Sequence, residues 1–444
     1  MAGCRVNGSP EGMRGLVIAA PSSGSGKTLV TLGLLRAMRE KGIRTVSAKS
    51  GPDYIDPRFH EAASGQRSVN LDAFAMTPAR IAGLVAALDG DLLIVEGAMG
   101  LFDGAPPDGR GSCADLASIL RLPVVLTVDC GRMSHSVAPL VEGFARHRAD
   151  VDIAAVILNN VGSARHETML RKALCASGIP VAGSLVRDAG LVLPSRHLGL
   201  VQAGEHEALT GFIAHAARLV ERSVDLDLFL DLARRPAGFE AGTGSGEGAG
   251  IPPPGQRTAI ARDTAFSFTY PHMLDGWRQA GGELSFFSPL ADEVPEPGCD
   301  AVFLPGGYPE LHAGTLADAG RFHAAMRAFD GFVYGECGGY MTLGRYLTDA
   351  DGRTWPMLDL LPLETSFRER RRQLGYRRLR PLAGTPWPFA LTGHEFHYAT
   401  TVAAGPGEAL FLAKDAEGAD LGATGLRQGR IMGSFVHVID RAGA

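Results

Sequence analysis

Short apolar runs alternate with helix-period stretches from Arg14 to about Leu232. Leu16–Ala20, Thr45–Ala48, Leu92–Val95, Val124–Val128 and Ala154–Leu158 read as strands, each bounded by polar or glycine-rich segments. The stretches between them are long enough for crossover helices, which predicts a parallel sheet covered by helices. Ligands of such sheets bind beyond the carboxyl ends of the strands, so the residues just after each strand are the informative ones. Residues 236–256 break the pattern, being rich in Gly and Ser and then in Pro. A segment of that composition cannot bury enough apolar surface to fold alone and reads as a linker. A second α/β pattern begins near Thr258, with strands at Thr258–Ala261, Leu284–Phe287, Ala301–Leu304, Gly331–Tyr334 and Ile431–Phe435. The expected organisation is therefore a domain over 14–235, a linker over 236–256 and a domain over 257–442, without internal repeats.

Composition narrows the class. Of 444 residues, 45% are hydrophobic and 20% charged, as in globular proteins with real cores. A net charge of −5 gives no reason to expect nucleic-acid binding. No apolar run reaches the roughly 18 residues of a membrane helix. The first apolar run is the strand at Leu16, so no signal peptide is expected. Six cysteines, at 4, 113, 130, 175, 299 and 337, lack paired spacing, which reads as a reduced cytoplasmic protein without a disulfide or zinc framework.

Cys337 stands in Phe332-Val-Tyr-Gly-Glu-Cys-Gly-Gly-Tyr-Met341. A short strand ends in glycine, a thiol follows, and two glycines open a helix-like segment. That is a strand-to-helix turn able to lift a nucleophile out of a sheet. The glycines free the following N–H groups for an oxyanion, and a helix N-terminus would favour the thiolate. The motif resembles the class I glutamine amidotransferases, in the branch of the cobyrinic and cobyric acid synthases. Ala301-Val-Phe-Leu-Pro-Gly-Gly-Tyr-Pro-Glu310 is similar to that family's second oxyanion element, which implies oxyanion donors at the backbone of Gly307 and Gly338. Ile431-Met-Gly-Ser-Phe-Val-His437 is similar to the strand that delivers the family's histidine, which implies His437 as the base for Cys337. His394 and His397, in Gly393-His-Glu-Phe-His-Tyr398, are rival bases. Many members continue His-x-Glu; here Val438, Ile439 and Asp440 follow, and the third member of the triad stays open.

The first domain carries a second chemistry. Pro21-Ser-Ser-Gly-Ser-Gly-Lys-Thr28 joins the strand Leu16–Ala20 to a helix running to about Lys41. This is a phosphate loop: Ser23, Gly24, Ser25 and Gly26 cradle phosphate, Lys27 neutralises it, and the Thr28 hydroxyl can ligate Mg²⁺. Pro21 occupies the first glycine of the strict pattern. The variant resembles dethiobiotin synthetase and its relatives. Ser22 stands where partition and division-site ATPases carry a signature lysine, which argues against that regulatory class. Lys49-Ser-Gly-Pro-Asp-Tyr-Ile-Asp-Pro57 and Glu96-Gly-Ala-Met-Gly-Leu-Phe-Asp-Gly104 follow two strands expected to flank the loop. They bring Lys49, Asp53, Asp56, Glu96 and Asp103 toward nucleotide. Glu96, then Asp53, are the expected partners of Thr28 on Mg²⁺, since that ion takes one or two carboxylates. Asp56 and Asp103 are the expected substrate-side acids.

These stretches, with Asn70-Leu71-Asp72, resemble the cobyrinic acid a,c-diamide synthase family from about Leu16 to Val438. The resemblance implies an α/β protein with a dethiobiotin-synthetase-like P-loop ligase domain followed by a class I amidotransferase-like domain. It implies ATP- and glutamine-dependent amidation of the a and c acetates of a corrinoid, cobyrinic or hydrogenobyrinic acid, through acyl phosphates. ATP and L-glutamine are then co-substrates and Mg²⁺ the cofactor. Arg368, Arg370, Arg371, Arg372, Arg377, Arg378 and Arg380 read either as a solvated face or as a rim for such a polyanion. Two other readings stay open: another polycarboxylate such as nickel-sirohydrochlorin, and a regulatory P-loop ATPase with an inactive amidotransferase-like module. The oligomeric state also stays open, a homodimer included.

Overall fold

The computed structural model describes residues 12–188, 190–191, 209–237, 250–382 and 384–443. Most of the expected linker, 238–249, lies outside them. The chain divides into two compact units: Met1–Phe74, Pro78–Gly104 and Asp108–Ser245 form one, and Ala75–Thr77, Ala105–Pro107 and Gly246–Ala444 the other.

The first unit is built on seven parallel strands: β1 (Arg14–Ala19), β2 (Thr45–Ser50), β3 (Ser68–Leu71), β4 (Leu92–Glu96), β5 (Val124–Asp129), β6 (Ile153–Val161) and β7 (Val181–Val186). Their order is β3-β2-β4-β1-β5-β6-β7. β2 and β4 are buried along their whole length and β1 after its first residue, as parallel strands covered on both faces must be. The parallel sheet is as the alternation predicts, but two strands escape the apolar scan. β3 carries Ser68 and Asn70 in buried positions, and β7 carries Gly183 and Ser184. The strand order also corrects one expectation. β4 pairs with β1, whereas β2 lies one strand further out, beyond β4. Lys49 nonetheless reaches the phosphate loop, because it stands in register with Glu96 across the β2–β4 pair.

Helix α1 (Lys27–Glu40) leaves the phosphate loop, α2 (Asp56–Ser64) follows β2, α3 (Pro78–Ala86) precedes β4, and α4 (Cys113–Leu120) precedes β5. Ser112 and Asp115 close a reciprocal capping box on α4. The buried face of α1, including Val30, Leu34 and Met38, packs with Phe212, Ala216 and Val220 of the helix Leu209–Ser223. Among the described residues no helix is long and apolar enough to cross a membrane.

The second unit holds β8 (Arg257–Ala261), β9 (Glu283–Phe287), β10 (Ala301–Leu304) and β11 (Phe332–Glu336) in one sheet with the strand Ile431–Ser434. All four pairings among these five strands are parallel. The strand Leu426–Gln428 adds an antiparallel edge. A separate five-stranded antiparallel sheet contains Gln373–Pro381, Leu391–His397 and Val436–Arg441. His437 therefore belongs to this second sheet and not to a continuation of Ile431–Ser434. The chain changes sheet at Phe435, where Ser434 Oγ accepts from Val436 N–H at 3.2 Å.

Two helix glycines should respond oppositely to alanine. A Cβ on Gly33, in α1, would lie 2.5 Å from Val220 Cγ2 and 2.8 Å from Ala216 O. Gly83, exposed in α3, has nothing within 4 Å. Gly33→Ala should destabilise by about 1–3 kcal/mol, and Gly83→Ala should stabilise by about 0.5–1 kcal/mol. Denaturant unfolding of the full chain checks this; a Gly33→Ala protein as stable as its parent would contradict the packing described.

Candidate active sites

The loop between β1 and α1 forms the first site. Gly24 and Gly26 have φ of 79° and 93°, a region that L side chains rarely adopt. A Cβ on Gly26 would also fall 2.1 Å from Asn159 Nδ2, whose amide donates to Ser25 O at 2.9 Å and ties the loop to the end of β6. Ser25 Oγ donates to Ser22 O at 3.0 Å, while Ser22, Ser23 and Gly24 are exposed. Lys27 is buried, and its ammonium donates to Met99 O at 2.5 Å and Ser22 O at 3.4 Å. Burial, then repulsion from Lys49, lowers its pKa. The Met99 carbonyl is carried by the loop after β4, which Asp103 shapes by accepting from Gly100 N–H at 2.8 Å.

Glu96, at the carboxyl end of β4, is the hub. Its Oε1 accepts from Thr28 Oγ1 and from Lys49 Nζ, both at 2.8 Å, and its Oε2 lies 2.7 Å from His60 Nε2. Lys49 also contacts Asp56 at 2.5 Å and Asp53 at 3.9 Å. Burial opposes ionisation of Glu96, yet Lys49 and His60 hold it well below the usual carboxylate range. Burial likewise opposes the Lys49 charge, and Asp56, Glu96 and Asp53 overcome it and raise its pKa. Asp56 is pushed up to about 7 by burial and by Asp53, against the pull of Lys49. Asp53 has a backbone task too: its Oδ1 accepts from Ile55 N–H at 2.8 Å and Asp56 N–H at 3.0 Å, opening α2. Thr28, Lys49, Asp53, Asp56 and Glu96 thus come together, while Asp103 turns to its own loop. His60 was missed by the sequence reading. Its signal is the spacing Asp56-x-x-x-His60, which puts both on one face of α2.

The second site is built around Cys337. Its φ of 45° and ψ of −101° are a strained conformation for a side-chain-bearing residue, costing about 1–3 kcal/mol. Surrounding contacts hold it: Cys337 N–H donates to Ser434 O at 2.8 Å, and the helix Gly338–Leu343 begins at once. That helix approaches β10 so closely that a Cβ on Gly339 would lie 1.9 Å from Leu304 O. The strand-to-helix turn is therefore as expected, and the surroundings of the thiol favour its neutral form. Burial, then the carboxylate of Glu310, pushes the Cys337 pKa up and outweighs the hydrogen bond from Gly338.

The turn Gly306-Gly307 joins the parts of the site. A Cβ on Gly306 would come 2.2 Å from His437 Cε1, and one on Gly338 would come 3.0 Å from Gly307 N. Gly307 and Gly338, the expected oxyanion donors, are thus neighbours, and the adjacent Gly306 packs on the His437 ring. His437 is buried, which lowers its pKa to about 3, with His394 and His397 adding to the effect. The rival bases fit less well. His397 has both ring nitrogens engaged, Nδ1 with Ala399 O at 3.0 Å and Nε2 with Glu395 Oε1 at 2.9 Å. His394 lies against Tyr376, with its pKa lowered to about 4 by burial and Arg377. Of the seven arginines, six are exposed, and Arg377 turns inward to Glu395 at 2.7 Å.

Comparison with known proteins agrees with this two-part construction. Residues 16–201 match the CobQ/CobB/MinD/ParA nucleotide binding domain, and residues 257–443 the CobB/CobQ-like glutamine amidotransferase domain. A hydrogenobyrinate a,c-diamide synthase of Brucella anthropi is 56% identical over 97% of this chain and 99% of its own length. One of Rhizobium meliloti is 57% identical over 96% and 99%. One of Mesorhizobium japonicum is 49% identical over 97% and 99%.

The Gly306 contact yields a test. Gly306→Ala must push the His437 ring aside; with His437 the expected base for Cys337, hydrolysis of glutamine by the full chain should then fall at least about tenfold. A rate within twofold of the parent would mean that the ring position against Gly306 is not needed.

Proposed function

Because the chain belongs to the a,c-diamide synthase family of glutamine-dependent corrinoid amidotransferases, we propose that it amidates the a and c acetates of hydrogenobyrinic acid, or of a close corrinoid, through acyl phosphates. One observation carries the reading. A single chain holds a phosphate loop whose Thr28 meets a buried Glu96–Lys49 pair, and a strained Cys337 beside the Gly306-Gly307 turn and His437.

A carboxylate is a poor electrophile because oxide is a poor leaving group. In the proposed first half-reaction an acetate oxygen attacks the γ-phosphorus of ATP, ADP leaves, and the acetate becomes an acyl phosphate. Lys27 and Lys49 offset charge on the transferring group, and the backbone of Ser23–Gly26 holds the phosphates. Ammonia then attacks the acyl carbon, inorganic phosphate departs, and the amide nitrogen loses a proton. Of the expected substrate-side acids, Asp56 has the better support, since it contacts Lys49 within the cluster. Asp103, bonded to Gly100 N–H, supports the loop that meets Lys27.

The donor set suits Mg²⁺. Thr28 Oγ1 and Glu96 Oε1 are adjacent hard oxygens beside the phosphate loop, and Asp53 offers a third nearby. Among the described residues no cluster of three or more His, Cys, Asp or Glu forms a cage. Mg²⁺ is commonly held by a hydroxyl, one or two carboxylates, water and nucleotide. When bound it would supply countercharge to the phosphates. Thr28 and Glu96 are the residues we propose to hold it, with Asp53 next.

In the second half-reaction Cys337 attacks the glutamine amide carbon, His437 takes the thiol proton, and backbone N–H groups of Gly307 and Gly338 face the oxyanion. Nitrogen must reach the acyl phosphate as NH₃, because ammonium has no lone pair. The exposed arginines between 368 and 380 suit an anionic substrate bearing many carboxylates. That favours a corrinoid over a mono-acid, and a homodimer is compatible with the scheme.

Nitrogen source separates the two sites. Cys337→Ser should abolish glutamine-dependent amidation and leave ammonia-dependent amidation within about twofold, whereas Lys27→Ala and Glu96→Gln should abolish both. Equal loss of both activities in Cys337→Ser would contradict two separable half-reactions. Product analysis by mass tests the acids. Asp56→Asn should slow diamide formation at saturating ATP by at least about tenfold; a raised Michaelis constant for ATP with a normal maximal rate would return Asp56 to the nucleotide site.

A further inference from the structure

We infer that Glu336, the residue immediately before the nucleophile, is the carboxylate that orients His437 and stabilises its imidazolium during glutamine hydrolysis. The inference rests on the reading of Cys337 and His437 as the glutaminase pair and adds the member that sequence spacing leaves open. Two residues beyond His437 stands Ile439, which cannot accept a proton or a hydrogen bond through its side chain. Asp440, next along, has its Oδ1 occupied by Arg441 N–H at 2.8 Å.

Glu336 ends β11 and is 2% exposed. Its Oε1 accepts from Val438 N–H at 3.0 Å, which fixes the strand at the residue beside His437. Its Oε2 lies 3.9 Å from His437 Nδ1. The carboxylate therefore grips the backbone of the histidine's strand with one oxygen and faces the imidazole with the other. The Tyr334 hydroxyl, also on β11, faces Glu336, and the neighbouring strand Leu391–His397 brings further ionisable groups to His437. His394 is its register partner, Glu395 and His397 lie further along, and Cys337 follows Glu336. Glu395 is already engaged by Arg377 and His397. Glu336 stands within ion-pair distance of His437.

The proton inventory explains why such a group is needed. With Nδ1–H directed at Glu336, Nε2 keeps its lone pair for the thiol. The thiol proton passes to Nε2 and sulfur bonds to the amide carbon. The C–N bond of the resulting tetrahedral intermediate breaks, the proton on Nε2 goes to the departing nitrogen, and thioester and NH₃ result. Water then adds with His437 again as base, giving glutamate and the free thiol. A buried imidazolium arises in each half, and an unpaired buried charge is costly. Burial raises Glu336 to about 8 and lowers His437 to about 3, so each alone favours its neutral form. Formed together, the two charges compensate each other. A separation of 3.9 Å is longer than a hydrogen bond, but such contacts commonly tighten in the reacting complex.

The test uses the full chain and glutamine hydrolysis. Glu336→Gln keeps the shape and removes the charge; kcat should fall about 100-fold, within the range for loss of acid–base assistance, with KM for glutamine changed less than about threefold. In the parent, activity should rise with pH through about 8 as Glu336 ionises, and this limb should be missing in Glu336→Gln. Glu336→Asp should recover part of the lost kcat. The rate of Cys337 alkylation by iodoacetamide reads thiolate directly. Glu336→Gln should slow it in the parent background and change it less than about twofold in a His437→Ala background, because coupled residues are not additive. Unchanged kcat and pH profile in Glu336→Gln would overturn the inference, as would equal slowing in both backgrounds. If Glu336→Gln does not fold, Glu336→Asp with parental kcat and profile would overturn it equally. Retained hydrolysis in Cys337→Ser would instead overturn the glutaminase reading beneath it.

Discussion

The carboxylate of Glu96 is fully buried at the end of a central strand, and the nucleotide end of the first unit is arranged around that charge. A buried anion is tolerated when its oxygens are satisfied and a cation stands close by. Thr28, Lys49 and His60 meet these needs from three different elements: the start of α1, the end of β2 and the body of α2. Lys49 in turn draws in Asp56, whose helix is opened by Asp53. Removing one member leaves another charge without its partner. The cluster therefore fixes the loop geometry before any phosphate arrives, which is the preorganisation that phosphoryl transfer rewards.

The second unit handles burial in the opposite way. Around Cys337 the thiol is pushed up, His437 down and Glu336 up, so each group favours its neutral form. In the reading proposed above, the nucleophile is then generated as a proton moves along this set. The Cys337 backbone takes a strained conformation, and the Gly306-Gly307 turn lies against both the His437 ring and Gly338. The two units thus treat buried charge in contrasting ways: one gathers paired charges, and the other favours neutral groups.

Motifs with local geometry were legible in the sequence. The phosphate loop, the elbow at Cys337 and the acids after two strands are set by neighbours in the chain, and they stand in the structure where the spacing puts them. What escaped depends on contacts between distant elements. β3 was hidden because Ser68 and Asn70 are polar yet buried, with Asn70 donating to Gly51 O. His60 looked like an ordinary helix residue until Glu96 came within 2.7 Å. The placement of β2 beyond β4 could not be read from strand order along the chain. The upward push on the Cys337 pKa escaped because a sequence shows the glycines that open a helix but not the burial of the thiol or the Glu310 carboxylate packed nearby. The break at Phe435, which moves His437 into another sheet, has no signal in its apolar pattern.

The central claim is that each acetate is activated as an acyl phosphate before nitrogen enters, and oxygen labelling tests it directly. Hydrogenobyrinic acid carrying ¹⁸O in its acetate carboxyl groups would be incubated with the full chain, ATP, Mg²⁺ and glutamine, and the phosphate released would be analysed by mass. The account predicts ADP, with one ¹⁸O in inorganic phosphate for each amide formed. Unlabelled phosphate accompanying diamide, or label appearing in AMP, would contradict it.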